Sequence, residues 1–86
     1  MKALAVSAEA RQQTERHANL VMRMAALTAR EREVARRVAR GQTNPAIAAD
    51  LNVALRTIKL YRQHAMEKLG AGSLAELVRI ADELGM

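Results

Sequence analysis

Cysteine, phenylalanine and tryptophan are absent from this sequence, and Tyr61 is its only aromatic residue. Without cysteine the chain has no disulfide and no thiolate metal site, which suits a reducing compartment. Without large aromatic side chains, aliphatic residues and many alanines must fill the core, and this favours closely packed helices over a sheet. At 86 residues the chain has room for one small domain with a helical extension.

The sequence also lacks a long apolar run and the residue order of a signal peptide, so we expect a soluble, cytoplasmic protein without membrane contact. His17 and His64 are far apart, and neither has a thiol or a paired carboxylate at ligand spacing. There is no glycine-rich phosphate loop either. We therefore expect neither an enzyme nor a bound metal or other cofactor.

Positive charge is in modest excess, because 14 Lys and Arg residues stand against 9 Asp and Glu residues. Residues 1–26 carry a net charge of +2, and residues 27–86 carry +3. Such a balance attracts a polyanion without specifying which one.

The first 26 residues lack proline and glycine and are rich in helix-forming residues. Apolar positions lie near the two ends of this segment, at Ala3 and Val6 and again at Leu20. The stretch 11–19 is polar on nearly every face, so we expect it to fray or to pair with another chain. We interpret residues 1–26 as a linker helix, with a coiled-coil seam as the alternative.

Four further helices are predicted from cap residues and apolar spacing. Thr28 with Glu31, and Ser73 with Glu76, each have the spacing of a capping box. Gly70 is placed as a left-handed helix stop. The predicted helices span about 29–40, 44–51, 55–69 and 74–84.

The helix of residues 55–69 has two unlike sides at roughly 100° per residue. Ile58, Ala65 and Leu69 fall on one side. The opposite side carries Arg56, Lys59, Leu60, Gln63 and Glu67. Cationic and amide side chains in the N-terminal half are typical of a recognition helix that meets base edges, and a solvated face of mixed charge is the alternative. Because a short helix and a tight turn come before it, the pattern favours a helix-turn-helix.

Taken together, these residues resemble the LuxR/FixJ-type (NarL-type) helix-turn-helix domain over about residues 27–84. The matching pieces are Leu27-Thr28, Arg30 to Val34, Gly41, Asn44, Ile47-Ala48, Leu51, Val53, Thr57 to Lys59, Lys68-Leu69 and Leu77 to Ala81. The resemblance implies an all-α, four-helix domain at residues 27–86, preceded by the linker helix. It is closest to the effector domain of FixJ-like response regulators, in which a receiver domain comes before the linker.

The resemblance also implies roles for individual residues, since the third helix of such domains enters the major groove and the fourth pairs two copies. The expected base-reading residues are Lys59, Leu60 and Gln63. The expected phosphate neighbours are Thr43, Asn44, Arg56, Thr57 and His64. The expected dimerisation residues are Leu74, Leu77, Val78 and Ala81. For Lys59, a phosphate contact without sequence content is the alternative to base reading.

Two residues differ from the usual pattern or need a separate interpretation. Ala54 stands where the family usually has a serine cap, so the recognition helix should lack a side-chain cap. Arg62 projects toward the edge of the core, and we expect it to pair with Glu31 or Glu33 rather than with DNA.

These observations predict a dimeric, sequence-specific double-stranded DNA-binding domain that regulates transcription, with RNA polymerase as a possible further partner. A stand-alone LuxR-type regulator is one alternative. A helical protein–protein interaction module and a sigma-factor-like promoter domain are the others.

Overall fold

The computed structural model describes residues 7–86, and within this range it contains five helices and no strand. The all-α prediction is therefore confirmed. The helices are α1 (Ala8–Ala25), α2 (Ala29–Ala39), α3 (Asn44–Leu51), α4 (Leu55–Leu69) and α5 (Leu74–Leu84). The predicted bounds of α3, α4 and α5 are confirmed, and α2 ends one residue earlier than expected. Ala3 and Val6 lie outside the described residues.

Side-chain caps begin most of these helices. The capping box of α2 is confirmed, because Thr28 Oγ1 accepts from the Glu31 amide while the Glu31 carboxylate accepts from the Thr28 amide. The box predicted for α5 is only half right. Ser73 Oγ accepts from the Glu76 amide, but the Glu76 carboxylate reaches one residue further back and accepts from the Gly72 amide at 2.8 Å.

The residues that end α3 and α4 both have a left-handed backbone conformation. Asn52, at φ 56°, ends α3, and Gly70, at φ 71°, ends α4 as predicted. Asparagine and glycine are the residues that adopt this conformation at least cost. Ala54 gives α4 no side-chain cap, also as predicted.

The core is made of aliphatic side chains from every helix. Its largest fully buried members are Val34, Ile47, Ile58, Leu69 and Leu77. Each contributes roughly 1.5–3 kcal/mol by leaving water. Because α4 supplies two of them and packs against α1, α2, α3 and α5, its orientation is determined by the rest of the domain.

The two halves of α1 differ in how far they are exposed to solvent. Residues 7–19 are exposed, whereas Leu20 is 4% exposed and belongs to the core. Arg23 Nη1 donates to the Leu69 carbonyl at 3.4 Å, and His17 Nδ1 lies 3.4 Å from the Glu83 carboxylate. The C-terminal half of α1 is therefore packed on α4 and α5, while the polar stretch 11–19 is an exposed helix. No helix within residues 7–86 combines the length and the apolar character needed to cross a bilayer.

Candidate nucleic-acid interface

The two sides of α4 have the environments that helical geometry predicts. Ile58, Ala65 and Leu69 are fully buried. The opposite side is exposed, and we call it the outer strip: Arg56, Lys59, Leu60, Gln63 and Glu67. Because other helices cover none of these five side chains, a duplex can approach the outer strip directly.

The outer strip combines charged, amide and apolar side chains, which can contact different groups on the edges of base pairs. Leu60 is 47% exposed between polar neighbours, and an apolar side chain in this position can contact a thymine methyl group. The Gln63 amide donates to Glu67 Oε2 at 3.5 Å, a long bond at the surface that a base edge can replace. Lys59 forms no ion pair within residues 7–86.

One flank of α4 faces the start of α3 across an open groove, which we call the α3–α4 groove. Its lining residues are Val38, Gly41, Gln42, Thr43, Asn44, Pro45, Leu55, Lys59, Arg62 and Leu74. The groove thus brings together three residues with predicted DNA contacts, Lys59, Thr43 and Asn44. The Thr43 hydroxyl caps α3 by accepting from the Ala46 amide at 3.2 Å.

The predicted pairing of Arg62 with Glu31 or Glu33 is wrong. Arg62 Nη1 instead donates to Asn44 Oδ1 at 3.2 Å, across the α3–α4 groove. The physical reason is that Arg62 lies on the α3 flank of α4, and both glutamates have closer cationic partners.

The flank of α4 toward α2 is held by Glu31, which is 4% exposed. Its carboxylate accepts from Lys68 Nζ at 2.7 Å and from the Thr28 amide at 2.9 Å. His64 Nδ1 lies 3.5 Å from the same carboxylate. The hydrogen bond from Lys68, and after it the one from Thr28, lowers the pKa of Glu31 below its ordinary value of 4.5.

His64 was expected to neighbour a DNA phosphate, and its half-exposed ring instead has Nδ1 turned toward Glu31. Its phosphate role stays a prediction. In the N-terminal half of the same helix, Arg56 is exposed and Thr57 is half-buried, and their phosphate contacts stay predictions as well.

Two arginines of α2, Arg36 and Arg37, form ion pairs with nearby carboxylates. Arg37 Nε donates to Glu33 Oε2 at 2.6 Å, and its Nη1 donates to Asp50 Oδ2 at 3.0 Å. The hydrogen bonds from Arg37 and then Arg36 lower the pKa of Glu33. Much of the positive charge on α2 is therefore ordinary surface charge.

Only two of the four predicted dimerisation residues on α5 are exposed. Leu74 is 48% exposed and Val78 is 42% exposed. Leu77 and Ala81 are 0% and 4% exposed, because they pack into the core of their own domain. Their dimerisation role stays a prediction, and the accessible flank of α5 is the one that carries Leu74 and Val78.

This chain is similar in sequence to one family of known proteins. The family described as "Bacterial regulatory proteins, luxR family" matches residues 25–81. The tetrathionate response regulatory protein TtrR of Salmonella typhimurium is 53% identical over 53 residues, which make up 62% of this chain and 26% of that protein. The transcriptional regulatory protein FixJ of Azorhizobium caulinodans is 41% identical over 75 residues, or 87% of this chain and 36% of that protein.

A solved structure of a FixJ protein has a similar fold. Full-length FixJ from B. japonicum superposes with a TM-score of 0.72 at 37% identity, covering 91% of this chain and 40% of that chain. This chain therefore corresponds to a minor part of each protein that it resembles. On the extent of the family match and the agreement in fold, the chain belongs to the luxR family of bacterial regulatory proteins.

Proposed function

We propose that this chain is a sequence-specific, double-stranded DNA-binding domain of a transcriptional regulator. The observation that carries the proposal is the outer strip of α4, which is exposed along its whole length while Ile58 and Leu69 anchor the opposite side. A rigid helix with an accessible polar side is the element that helix-turn-helix proteins insert into the major groove.

Base reading falls to three residues of the outer strip. Lys59 donates to the O6 or N7 acceptors of guanine, and Gln63 forms a bidentate pair with adenine. Leu60 contacts a thymine methyl group. The exposure of all three side chains supports these roles.

Phosphate contacts lie at the N-terminal end of this strip and beside it, at the start of α3. Arg56 and Thr57 lie in the first turn of α4, and Thr43 and Asn44 lie at the start of α3. Amide and hydroxyl donors at a helix N-terminus are common phosphate ligands, and they set the orientation of the protein on the duplex. His64 is the weakest member of this group because Glu31 already faces its ring.

Two copies of the domain bind together, through the flank of α5 that carries Leu74 and Val78. Their exposure without a partner in residues 7–86 supports this assignment. The two α4 helices would then reach half-sites about one helical turn apart. A charge at Val78 (Val78→Glu) should weaken DNA binding while leaving the fold intact, and unchanged affinity would exclude this flank as the dimer interface.

In a longer parent protein, the domain follows a receiver domain, to which residues 1–26 connect it. The relatives' names as regulatory proteins, and their greater length, support this arrangement. We expect action in the cytoplasm, with RNA polymerase as a further partner. A stand-alone regulator is the alternative.

A protein-interaction module is the second candidate function. It is favoured by Val21 and Met22, which are 47% and 71% exposed on the outer side of α1. In that case, binding of the partner would not depend on Lys59 or Gln63.

Selection of bound duplexes from a random pool tests the proposal. An inverted repeat recovered with the wild-type chain is the expected result. The slope of log affinity against log salt then counts the phosphate contacts. A pool that shows no enrichment would contradict sequence-specific binding.

A further inference from the structure

Arg62 connects two parts of the candidate interface. It lies half-buried on α4, on the flank that borders Lys59, and it lines the α3–α4 groove. Its guanidinium donates to Asn44 Oδ1 at 3.2 Å, and Asn44 is the first residue of α3. The bond therefore joins the recognition helix to the helix start where phosphate contacts are expected.

The chemistry of this bond determines the orientation of the Asn44 side chain. A guanidinium has donors only, whereas an asparagine amide has a carbonyl acceptor on one side and an NH2 donor on the other. The atom that faces Arg62 must be the oxygen, so the NH2 group turns away from it. Reversing the amide would bring donors against donors.

The NH2 group of Asn44 is accessible and has no acceptor within residues 7–86. No hydrogen bond from Asn44 Nδ2 to another described residue is formed, and this part of the chain contains no buried side-chain nitrogen or oxygen without a partner. The nitrogen must therefore reach solvent. A neutral donor held in one orientation at a helix start is suited to an oxygen of the phosphate backbone.

We propose that Arg62 is a positioning residue for DNA binding, which holds the Asn44 amide with its NH2 group directed at a phosphate. The inference rests on the proposed DNA-binding function. Arg62 acts through Asn44, so its removal lets the amide rotate and lowers affinity without changing which bases are preferred.

A double-mutant cycle tests this coupling. The probes are the duplex recovered by selection and a random-sequence duplex of equal length, and the variants are Arg62→Met, Asn44→Ala and the pair. Each single variant should bind about fivefold more weakly, and the pair should be no weaker than Asn44→Ala alone, since both changes remove one interaction. Additive losses in the pair would mean that Arg62 acts independently of Asn44, and would overturn the proposal.

The salt dependence separates positioning from a direct phosphate contact by Arg62. Each phosphate that a Lys or Arg side chain neutralises contributes about 0.9 to the slope of log affinity against log salt, because counterions are released. The Asn44 amide is neutral, so Asn44→Ala should weaken binding without changing the slope. Because Arg62 acts through Asn44, Arg62→Met should do the same, with the same fractional loss on both duplexes. Arg11→Met, which removes one positive charge from the exposed half of α1, is the matched control and should change neither the affinity nor the slope. A slope lower by about 0.9 in a folded Arg62→Met variant would mean that Arg62 itself neutralises a phosphate, and would overturn the proposal.

Asn44→Asp tests the phosphate contact of Asn44, on which the positioning role depends, without removing Arg62. Aspartate retains an acceptor for Arg62 and suits the start of a helix, so the midpoint of thermal unfolding should not fall. It has no donor and places a negative charge against the phosphate, so binding should weaken at least about tenfold. Wild-type affinity in this variant would overturn the proposal.

The proposed function and the positioning role can fail separately. If Lys59→Ala binds both duplexes as the wild type does, the proposed recognition role of α4 is refuted, and the positioning role of Arg62 is refuted with it. If Lys59→Ala weakens binding while the Arg62 and Asn44 losses add, only the positioning role is wrong.

Discussion

The two flanks of α4 are held in different ways. On the side of α2, Lys68 and His64 meet the carboxylate of Glu31, which is almost completely withdrawn from water. On the side of α3, Arg62 makes one hydrogen bond to Asn44 across an open groove. The first flank stabilises the domain, whereas the second lies where a duplex would be contacted. We therefore expect substitutions at the α2 flank to change the free energy of unfolding, and substitutions at the α3 flank to change DNA affinity.

The largest effect is expected from removing the buried carboxylate. Glu31→Ala deletes half of the α2 capping box and leaves Lys68 with the Ala26 carbonyl but without a carboxylate partner, so we expect a loss of about 2 kcal/mol in the free energy of unfolding. DNA affinity of the folded fraction should not fall, because the outer strip is untouched. Urea denaturation measures the first quantity, and titration of DNA at low temperature measures the second.

Glu33→Ala is the matched control for this substitution. Glu33 pairs with Arg36 and Arg37 at the surface of the same helix, with 30% of its side chain exposed. Such pairs contribute about 0.5 kcal/mol or less. Equal losses for the two variants would remove the distinction between the Glu31 contact and ordinary surface charge.

A smaller effect of opposite sign is expected at the start of α4. Ala54 has extended backbone and no side-chain cap bond, so Ala54→Ser should add a cap and raise the free energy of unfolding by about 1 kcal/mol. No gain in urea denaturation would mean that the first turn is already satisfied by other groups.

A small effect is also expected for Lys68, whose side chain is 38% exposed. Because solvent screens this pair, Lys68→Met should cost less than about 1 kcal/mol at neutral pH. The substitution removes the main cause of the lowered pKa of Glu31, whose ordinary value is 4.5.

The pH dependence of that difference has a definite sign. A lowered pKa in the folded state stabilises the protein above the unfolded value, and the stabilisation is lost as pH falls through the folded value. The difference in unfolding free energy between wild type and Lys68→Met should therefore be largest at neutral pH and disappear in acid. A difference that is constant between pH 7 and pH 3 would exclude Glu31 as the partner responsible.

Much of this arrangement could be predicted from the residue pattern, for physical reasons that concern local chemistry. Thr28 and Ser73 cap helices through backbone amides three residues away, and Gly70 ends α4 by its own conformation. Such signals lie within a few residues, so the bounds of α3 to α5 followed from them. The period of Ile58, Ala65 and Leu69 likewise identified the buried side of α4.

The errors concern contacts between elements. A helical wheel gives the direction of Arg62 but not which neighbouring helix lies there, and that neighbour proved to be α3 rather than α2. In the same way, the four residues of α5 that the resemblance assigned to dimerisation include both buried and exposed positions. Only the packing of the domain separates Leu77, which is buried, from Val78, which is exposed.

The central claim is that the outer strip of α4 contacts bases, and the most direct measurement compares Lys59→Ala with Arg11→Ala on a selected duplex. Both changes remove one exposed positive charge, on the outer strip and on the exposed half of α1. A lost base contact costs about 1–3 kcal/mol, so Lys59→Ala should weaken binding roughly tenfold or more, while Arg11→Ala stays near wild type. Equal, small losses for the two variants in a gel-shift titration would contradict the claim.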